Sequence, residues 1–255
     1  FDGGVAIRNS QPQIDGPMSA ALIDCPDQDI KLSGPALKGQ LRLSDSFDRW
    51  VGDMEFAAGN AQVAGLALSA PSGEIAFHGD AKRTEFELEL GKSGFRNAQA
   101  GVRQLSGDAA GHIAMIDGQL AISARGDAQI AGASVNNRVL SGLQNVVRGT
   151  RATPIGPVIA ALDPALRRAL TDFSGSLSYD LTVNSGRGTL VNVDGLDLNS
   201  RSGASIRQAG AFSLVNGALQ GPLAIRMAGG GLPQADVNLR AQGRGWAGNL
   251  VLAPY

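Results

Sequence analysis

The sequence is poor in charge, in aromatic residues and in cysteine. Charged residues make up 18% of the chain, the formal net charge is -1, and no basic run occurs, so the electrostatic footprint of a nucleic-acid-binding protein is missing. The single cysteine, Cys25, excludes an intramolecular disulfide and a cysteine-based zinc site. No run of about 18 apolar residues is present that could form a transmembrane helix. Nucleic-acid binding and membrane spanning by a helix are therefore excluded as main functions.

What the chain has instead is glycine, 35 residues of it, between runs of alternating apolar and polar residues. Residues 177–184, Leu-Ser-Tyr-Asp-Leu-Thr-Val-Asn, are apolar at every odd position and polar at every even one. Glutamates likewise alternate with Phe86, Leu88 and Leu90. Alternation of this kind places the two sets on opposite faces of a β-strand. The sequence predicts a mainly β protein whose strands have one apolar face and one face in water.

Turn signals separate several of these runs. Asp117-Gly118, Asp194-Gly195 and Asn216-Gly217 are pairs that accept the positive φ values of tight hairpins. Arg125-Gly126-Asp127 matches an adhesion tripeptide, but its position between Ile122 and Ile130 favours a further hairpin turn. These signals predict antiparallel neighbours and strands of five or six residues.

Residues 136–173 break the alternation. Val139, Leu143, Val146 and Val147 recur at helical spacing, and two Thr/Asp-Pro pairs further on are typical of helix starts. An amphipathic helical insertion at 136–173 is therefore predicted between a β-rich part at 1–135 and a second β-rich part at 174–255.

Few residues are arranged for chemistry. The only histidines, His78 and His112, each lie in an alternating run, where a place on the strand surface is the simpler interpretation. Asp24, Asp27 and Asp29 have a spacing typical of a solvated loop more than of a carboxylate pair for hydrolysis. We predict no catalytic residue, no metal site, no cofactor and no enzymatic activity.

Roughly fifteen to eighteen short strands with one apolar face require something to cover that face, because exposing it costs about 25 cal/mol per Å². A second sheet, a solenoid, the lipid around a membrane barrel, or lipid tails bound in an open groove would each do so. Two Trp and two Tyr are too few for the aromatic girdles of a membrane barrel. The sealed sandwich, the solenoid and the open groove all remain.

A family resemblance bears on this choice. Glycine-punctuated strands, the Asp-Gly and Asn-Gly pairs, and residues 149–157, Gly-Thr-Arg-Ala-Thr-Pro-Ile-Gly-Pro, resemble the C-terminal portion of the AsmA-like and TamB-like periplasmic proteins of Gram-negative bacteria, and most of all the YdbH family. The resemblance implies a long, curved antiparallel sheet forming a half-open hydrophobic groove. Through this groove phospholipid would move passively between the inner and outer membranes.

The resemblance also implies a setting and partners. The chain would be a periplasmic fragment of a longer envelope protein held to the inner membrane by an N-terminal anchor, which is absent from residues 1–255. Phospholipid would be its cargo, and a small outer-membrane lipoprotein would pair with a strand edge after Leu252. The first alternative is a structural or adhesive β-protein of the cell surface or periplasm that carries no lipid. The second is a hydrolase, which would bring at least two of Asp24, Asp27, Asp29 and His78 together in one cleft.

The candidate lipid-contacting residues are large apolar side chains in the alternating runs, and any of them would equally suit a sandwich core. They are Phe86, Leu88, Leu90, Leu120, Ile122, Leu177, Tyr179, Leu181, Val183, Ile225, Met227, Val237 and Leu239.

Overall fold

The structure, a computed structural model, describes residues 4–8, 11–28, 30–63, 66–96, 100–135, 152, 164, 167, 171–184, 188–216, 218–220, 222–242 and 245–252. Within these ranges the chain is almost entirely β-strand, as the alternation predicts. All the strands belong to one open antiparallel sheet.

The described residues up to Arg96 form ten strands and one short 3-10 helix. They are β1 (Gly4–Arg8), β2 (Gln11–Ser19), β3 (Leu22–Cys25), the 3-10 helix Pro26–Gln28, β4 (Ile30–Ser33), β5 (Ala36–Leu43), β6 (Arg49–Ala57), β7 (Asn60–Val63), β8 (Leu66–Ser69), β9 (Ser72–Asp80) and β10 (Arg83–Arg96).

Ten further strands follow. They are β11 (Ala100–Ile116), β12 (Gln119–Val135), β13 (Phe173–Asn184), β14 (Gly188–Ser200), β15 (Ser205–Gly210), β16 (Phe212–Val215), β17 (Ala218–Gln220), β18 (Leu223–Gly229), β19 (Leu232–Gln242) and β20 (Gly245–Leu252).

The short strands are segments of longer crossings of the sheet. β2 and β3, for example, pair with β5 and β4 in one unbroken register, since Gln13 lies opposite Arg42 and Cys25 lies opposite Ile30. The same continuity joins β4 to β5, β6 to β7 and β8 to β9. β15 with β16, and β17 with β18, also form single crossings, but the register against β14 shifts by one residue between β15 and β16, and the pairing of β15 with β18 shifts between Gln208 and Gly210. The twenty described strands therefore form fourteen crossings in an up-and-down antiparallel meander, in which every crossing except the first and the last pairs with the crossing before it and the crossing after it.

The breaks within four successive crossings line up across the sheet. We call this line the seam, and it consists of Ala20–Ala21, Gly34–Pro35, Ala58–Gly59 and Ala70–Pro71. Backbone hydrogen bonds continue through it, because Ala20 N donates to Pro35 O at 3.0 Å and Ala58 N donates to Pro71 O at 2.9 Å. A proline cannot donate to the ladder but can accept, so the breaks in the strands leave the sheet joined.

Apolar positions change parity at the seam. In β4 the half-buried side chains include Ile30 and Leu32, whereas in β5 they include Leu37 and Leu41. Gly34, with φ 58°, lies between the two sets. A residue in the left-handed region turns the strand over, so the following side chains exchange faces.

The five central crossings, β10 to β14, are 12 to 17 residues long, so the prediction of strands of five or six residues is wrong. Arg125-Gly126-Asp127 forms no turn and lies in the middle of β12, where Gly126 is opposite Ala109. Asp194-Gly195 forms no turn either: it lies inside β14, at a bulge opposite Ser178 and Tyr179. Both glycines suggest turns in the sequence. In the structure, Gly126 instead allows β11 and β12 to approach each other closely, and Gly195 lies next to a β-bulge.

Two predicted hairpins are confirmed. Asp117 and Gly118, with φ 51° and 73°, connect β11 to β12, and Asn216, with φ 49°, connects β16 to β17. The predicted helical insertion at 136–173 lies outside the described residues except for Ala152, Pro164, Arg167 and residues 171–173. Phe173, assigned to that insertion by its apolar character, is instead the buried first residue of β13.

Candidate functional site

The candidate site is the apolar face of the central crossings, defined as the side of the sheet that carries Phe86, Ala109 and Ala124. These three residues are buried and lie side by side on β10, β11 and β12. Larger side chains pack around them: Ile75, Phe77, Leu88, Ile113, Ile122 and Leu181. All six remain partly exposed, so the outer layer of this face consists of hydrocarbon that the described chain leaves in reach of solvent.

Small residues let the central strands approach closely beneath that layer. A Cβ added at Gly111 would lie 2.7 Å from Ala124 Cα, and one added at Gly126 would lie 2.9 Å from Ala109 Cα. Ordinary carbon contacts are about 3.5–4.0 Å, so neither position has room for a side chain. On the neighbouring crossings, the ring of Phe77 lies over Gly52 in the same way.

Eleven of the thirteen predicted lipid-contacting residues have described side chains. Phe86 is buried and the other ten are partly buried. The side chains of Val237 and Leu239 lie outside the described residues, although their backbones pair with Ile225 and Leu223. No large side chain among the described residues falls below 2% exposure, which differs from the fully buried core that two packed sheets would create.

The predicted residues form two groups, one on β10, β12 and β13 and one on β18 and β19. Residues that the sequence analysis missed connect them. Leu177 lies opposite Leu196 on β14, and two positions further on, Leu198 lies opposite Ile206, which in turn lies opposite Met227. The bulge at Asp194 hides this connection in the sequence, because it shifts the alternation of β14 from odd to even positions.

The total accessible surface is also large for the mass. The chain exposes 15273 Å², whereas a compact protein of 26.2 kDa exposes about 10,600 Å².

The opposite face of the sheet is polar and carries a row of acids. Glu55, Glu74, Glu89, Asp108 and Asp127 lie directly opposite one another on five neighbouring crossings, and all are exposed. We call this set the acidic row. Carboxylates in this number require water, so the acidic row identifies the solvated side of the sheet.

Ion pairs strengthen the solvated side next to the acidic row. Arg125 donates to both carboxylate oxygens of Asp180, at 2.6 and 3.0 Å, and this hydrogen bonding lowers the pKa of Asp180 below its usual range.

On the apolar face, burial raises the pKa of the Tyr179 hydroxyl, with a smaller contribution from the carboxylates of Asp108 and Asp127. Tyr179 therefore presents a neutral phenol.

A polar cavity of about 510 Å³ opens where β14 separates from β15 and β16. Asp194, Asp197 and Arg207 are among its lining residues. Gln208 closes the gap in the ladder there, because its Nε2 donates to Val193 O at 2.6 Å and to Gly210 O at 3.0 Å. The cavity has the character of the solvated face, and we place no apolar ligand in it.

The residues considered for catalysis have separate partners. Asp24 pairs with Lys31 at 3.2 Å and His78 with Glu85 at 3.4 Å. Asp27 lies in the 3-10 helix, and Asp29 lies outside the described residues. As they stand, the described side chains contain no group of three His, Cys, Asp or Glu residues placed to hold a metal ion.

No helix among the described residues is long and apolar enough to cross a bilayer. Comparison with models of protein families, with curated proteins and with solved structures finds no match to this chain.

Proposed function

We propose that the apolar face binds the acyl chains of phospholipid and serves as a track along which they move passively. The observation that carries the proposal is the partly exposed hydrocarbon layer of an open antiparallel sheet. Hydrocarbon from another molecule suits such a layer, because each CH₂ group removed from water contributes about 0.8 kcal/mol to the free energy of binding. For a tail of fifteen methylenes this amounts to roughly 12 kcal/mol.

The dimensions of the sheet support a track rather than a single binding pocket. Strands in a sheet lie about 4.8 Å apart, so fourteen crossings extend for roughly 60 Å along the sheet. Each central crossing is itself about 40–55 Å long at 3.3 Å per residue, more than a single tail covers. The half-open groove expected from the AsmA-like and YdbH-like resemblance would arise if the sheet curves around this face.

Charge supports a passive and unselective mode of binding. The acids of the acidic row and the Arg125–Asp180 pair lie on the opposite side of the sheet. The described layer of Ile75, Leu88 and Leu181 therefore offers tails no charged partner, and headgroups would remain in water. The periplasmic setting, the inner-membrane anchor and the two membranes are supported by the family resemblance alone.

Photo-crosslinking at neighbouring positions tests the proposal. A photoreactive phenylalanine replaces Leu181 on the apolar face or Thr182 on the solvated face, and the purified chain is illuminated with vesicles of radiolabelled phosphatidylethanolamine and phosphatidylglycerol. We expect labelled lipid attached at position 181 and background labelling at 182, which is the matched control. Equal labelling at both positions, or none at 181, would refute acyl-chain binding.

The sheet edges favour a second candidate, a structural or adhesive β-protein. On β1, Val5 is 69% and Ile7 is 76% exposed, and the described strands pair with β1 on one side only. A strand edge that no other strand covers can add a strand from another protein. The small lipoprotein expected from the resemblance would use β20 in the same way, and deletion of residues 245–252 would then abolish its capture; capture that survives the deletion rules that edge out.

A further inference from the structure

The only two histidines of the chain flank the same glutamate on the solvated face. Glu85 on β10 lies directly opposite His78 on β9 and directly opposite His112 on β11. Directly opposed residues of antiparallel strands point to the same side of the sheet. The three side chains therefore stand in one row across three neighbouring strands.

We propose that His78, Glu85 and His112 together bind a divalent transition-metal ion, with Zn²⁺ as the reference ion. Two imidazoles and one carboxylate, with a water in the fourth position, form a donor set that Zn²⁺ accepts in proteins. The site lies on the opposite side of the sheet from the apolar face, so it neither requires nor excludes lipid binding.

The spacing of the strands suits these ligands. Directly opposed Cα atoms are separated by about 4.5 or 5.5 Å in alternation, which puts the Cα atoms of His78 and His112 roughly 10 Å apart. Two metal–nitrogen bonds of about 2.0–2.1 Å occupy some 4 Å of that span. Each imidazole then has to lean inward by roughly 3 Å, a distance within the length of the side chain.

Two of the three side chains are already next to each other, whereas His112 is placed by the strand register alone. His78 Nε2 lies 3.4 Å from Glu85 Oε2, and the two side chains are 69% and 52% exposed, so both can rotate at little cost. Arg83 Nε lies 3.4 Å from Glu85 Oε1. The other carboxylate oxygen, Oε2, lies next to His78 and is the one that would bind the metal. Closing the site therefore requires rotation of side chains on a fixed ladder, mainly of half-buried His112.

Neighbouring residues complete the electrostatic surroundings. Outward-facing Val51 and Ser123 lie beyond His78 and His112 in the same row, and Glu87 follows Glu85 on the same face of β10. The negative charge of Glu87 favours a cation, whereas Arg83 opposes it. Because a metal displaces protons from imidazole, binding weakens in acid.

The test uses the tag-free chain with ¹⁵N-labelled histidine, which gives signals from only two imidazoles. On titration with ZnCl₂ we expect both imidazoles to shift together and to saturate at one ion per chain. Calorimetry should show a loss of affinity of tenfold or more for E85Q and of a hundredfold or more for H78Q and H112Q. By the Irving–Williams order, Cu²⁺ should bind more tightly than Zn²⁺.

The matched control is E87Q, because Glu87 has the same strand, face and charge as Glu85 but lies opposite Ala76 and Ala110. We expect its Zn²⁺ affinity to stay within twofold of the parent chain. A shift of one imidazole alone, parental affinity in H112Q or in E85Q, or equal losses in E85Q and E87Q would each overturn the site. Circular dichroism of every variant establishes that the sheet is retained.

Discussion

Replacing Gly126 by alanine tests the close approach of the two longest crossings. The added Cβ would lie 2.9 Å from Ala109 Cα and would overlap the carbonyl oxygen of Asp108. To relieve both contacts, β12 has to move away from β11 by roughly 1 Å or more. That shift weakens two ladder hydrogen bonds of about 1 kcal/mol each and adds overpacking of about 1–3 kcal/mol.

We therefore expect G126A to lower the free energy of unfolding by about 2–4 kcal/mol. At about 2–4 °C per kcal/mol for a chain of this size, the thermal midpoint should fall by roughly 4–16 °C, as measured by circular dichroism.

Gly101 provides the matched control because it also lies in the long central crossings, on β11. Its added Cβ would meet only Phe95 O, at 3.9 Å, so G101A should leave the midpoint unchanged or raise it slightly through the unfolded state. A midpoint for G126A equal to that of G101A would show that the strands are farther apart than described, and the argument from close approach would fail.

Three further predictions concern the polar face, a turn and the buried layer. Hydrogen bonding from Arg125 lowers the folded-state pKa of Asp180, so the pair stabilises the fold above the unfolded-state pKa of about 3.9 and loses that effect as the pH falls through the folded-state pKa. The thermal midpoints of D180N and the parent chain should therefore differ at pH 7 and converge below about pH 4. A constant difference between the two midpoints at every pH would contradict this. G118A forces a side chain onto a residue with φ 73° and should cost about 1–2 kcal/mol in urea unfolding; a neutral result would mean that the β11–β12 turn differs from the one described. Val193→Ala, at a side chain 2% exposed, should cost about 1.5–3 kcal/mol, whereas Val51→Ala, at one 51% exposed, should cost less than about 0.5 kcal/mol; equal costs would refute the burial difference.

Local alternation was sufficient to predict the class of the fold. Residues 177–184 alternate strictly and form β13, and Asp117-Gly118 forms the turn between two alternating runs. In both cases the chemistry of a few adjacent residues decides the structure, so no distant contact has to be known.

Arg125-Gly126-Asp127 shows where such reasoning fails. The tripeptide has turn chemistry, yet it continues a strand because Gly126 faces the backbone of β11 and Arg125 pairs with Asp180 of β13. The backbone of β11 and Asp180 are both remote from the tripeptide in sequence, so the contacts that favour an extended strand here cannot be recognised from the neighbouring residues. The seam did leave a signal: at Gly34 the apolar residues change from even to odd positions, directly before a proline.

The candidate site was predicted residue by residue but not as a surface. Alternation identified Leu177 and Met227, whereas their connection through Leu198 and Ile206 depends on which strands are neighbours. The His78–Glu85–His112 row depends on strand pairing in the same way, since 34 residues separate the two histidines in the chain.

The common level of the seam has a consequence for how such a chain can change in length. The breaks at Gly34–Pro35 and Ala70–Pro71 lie at the same level along their crossings, and the strand register continues through them. Adding or removing two neighbouring antiparallel crossings together therefore preserves the direction of the chain and the level of every remaining break. Duplication or loss of a single hairpin is thus a step that evolution or an engineer can take without redesigning the rest, and the reach of the sheet becomes a matter of how many hairpins are present.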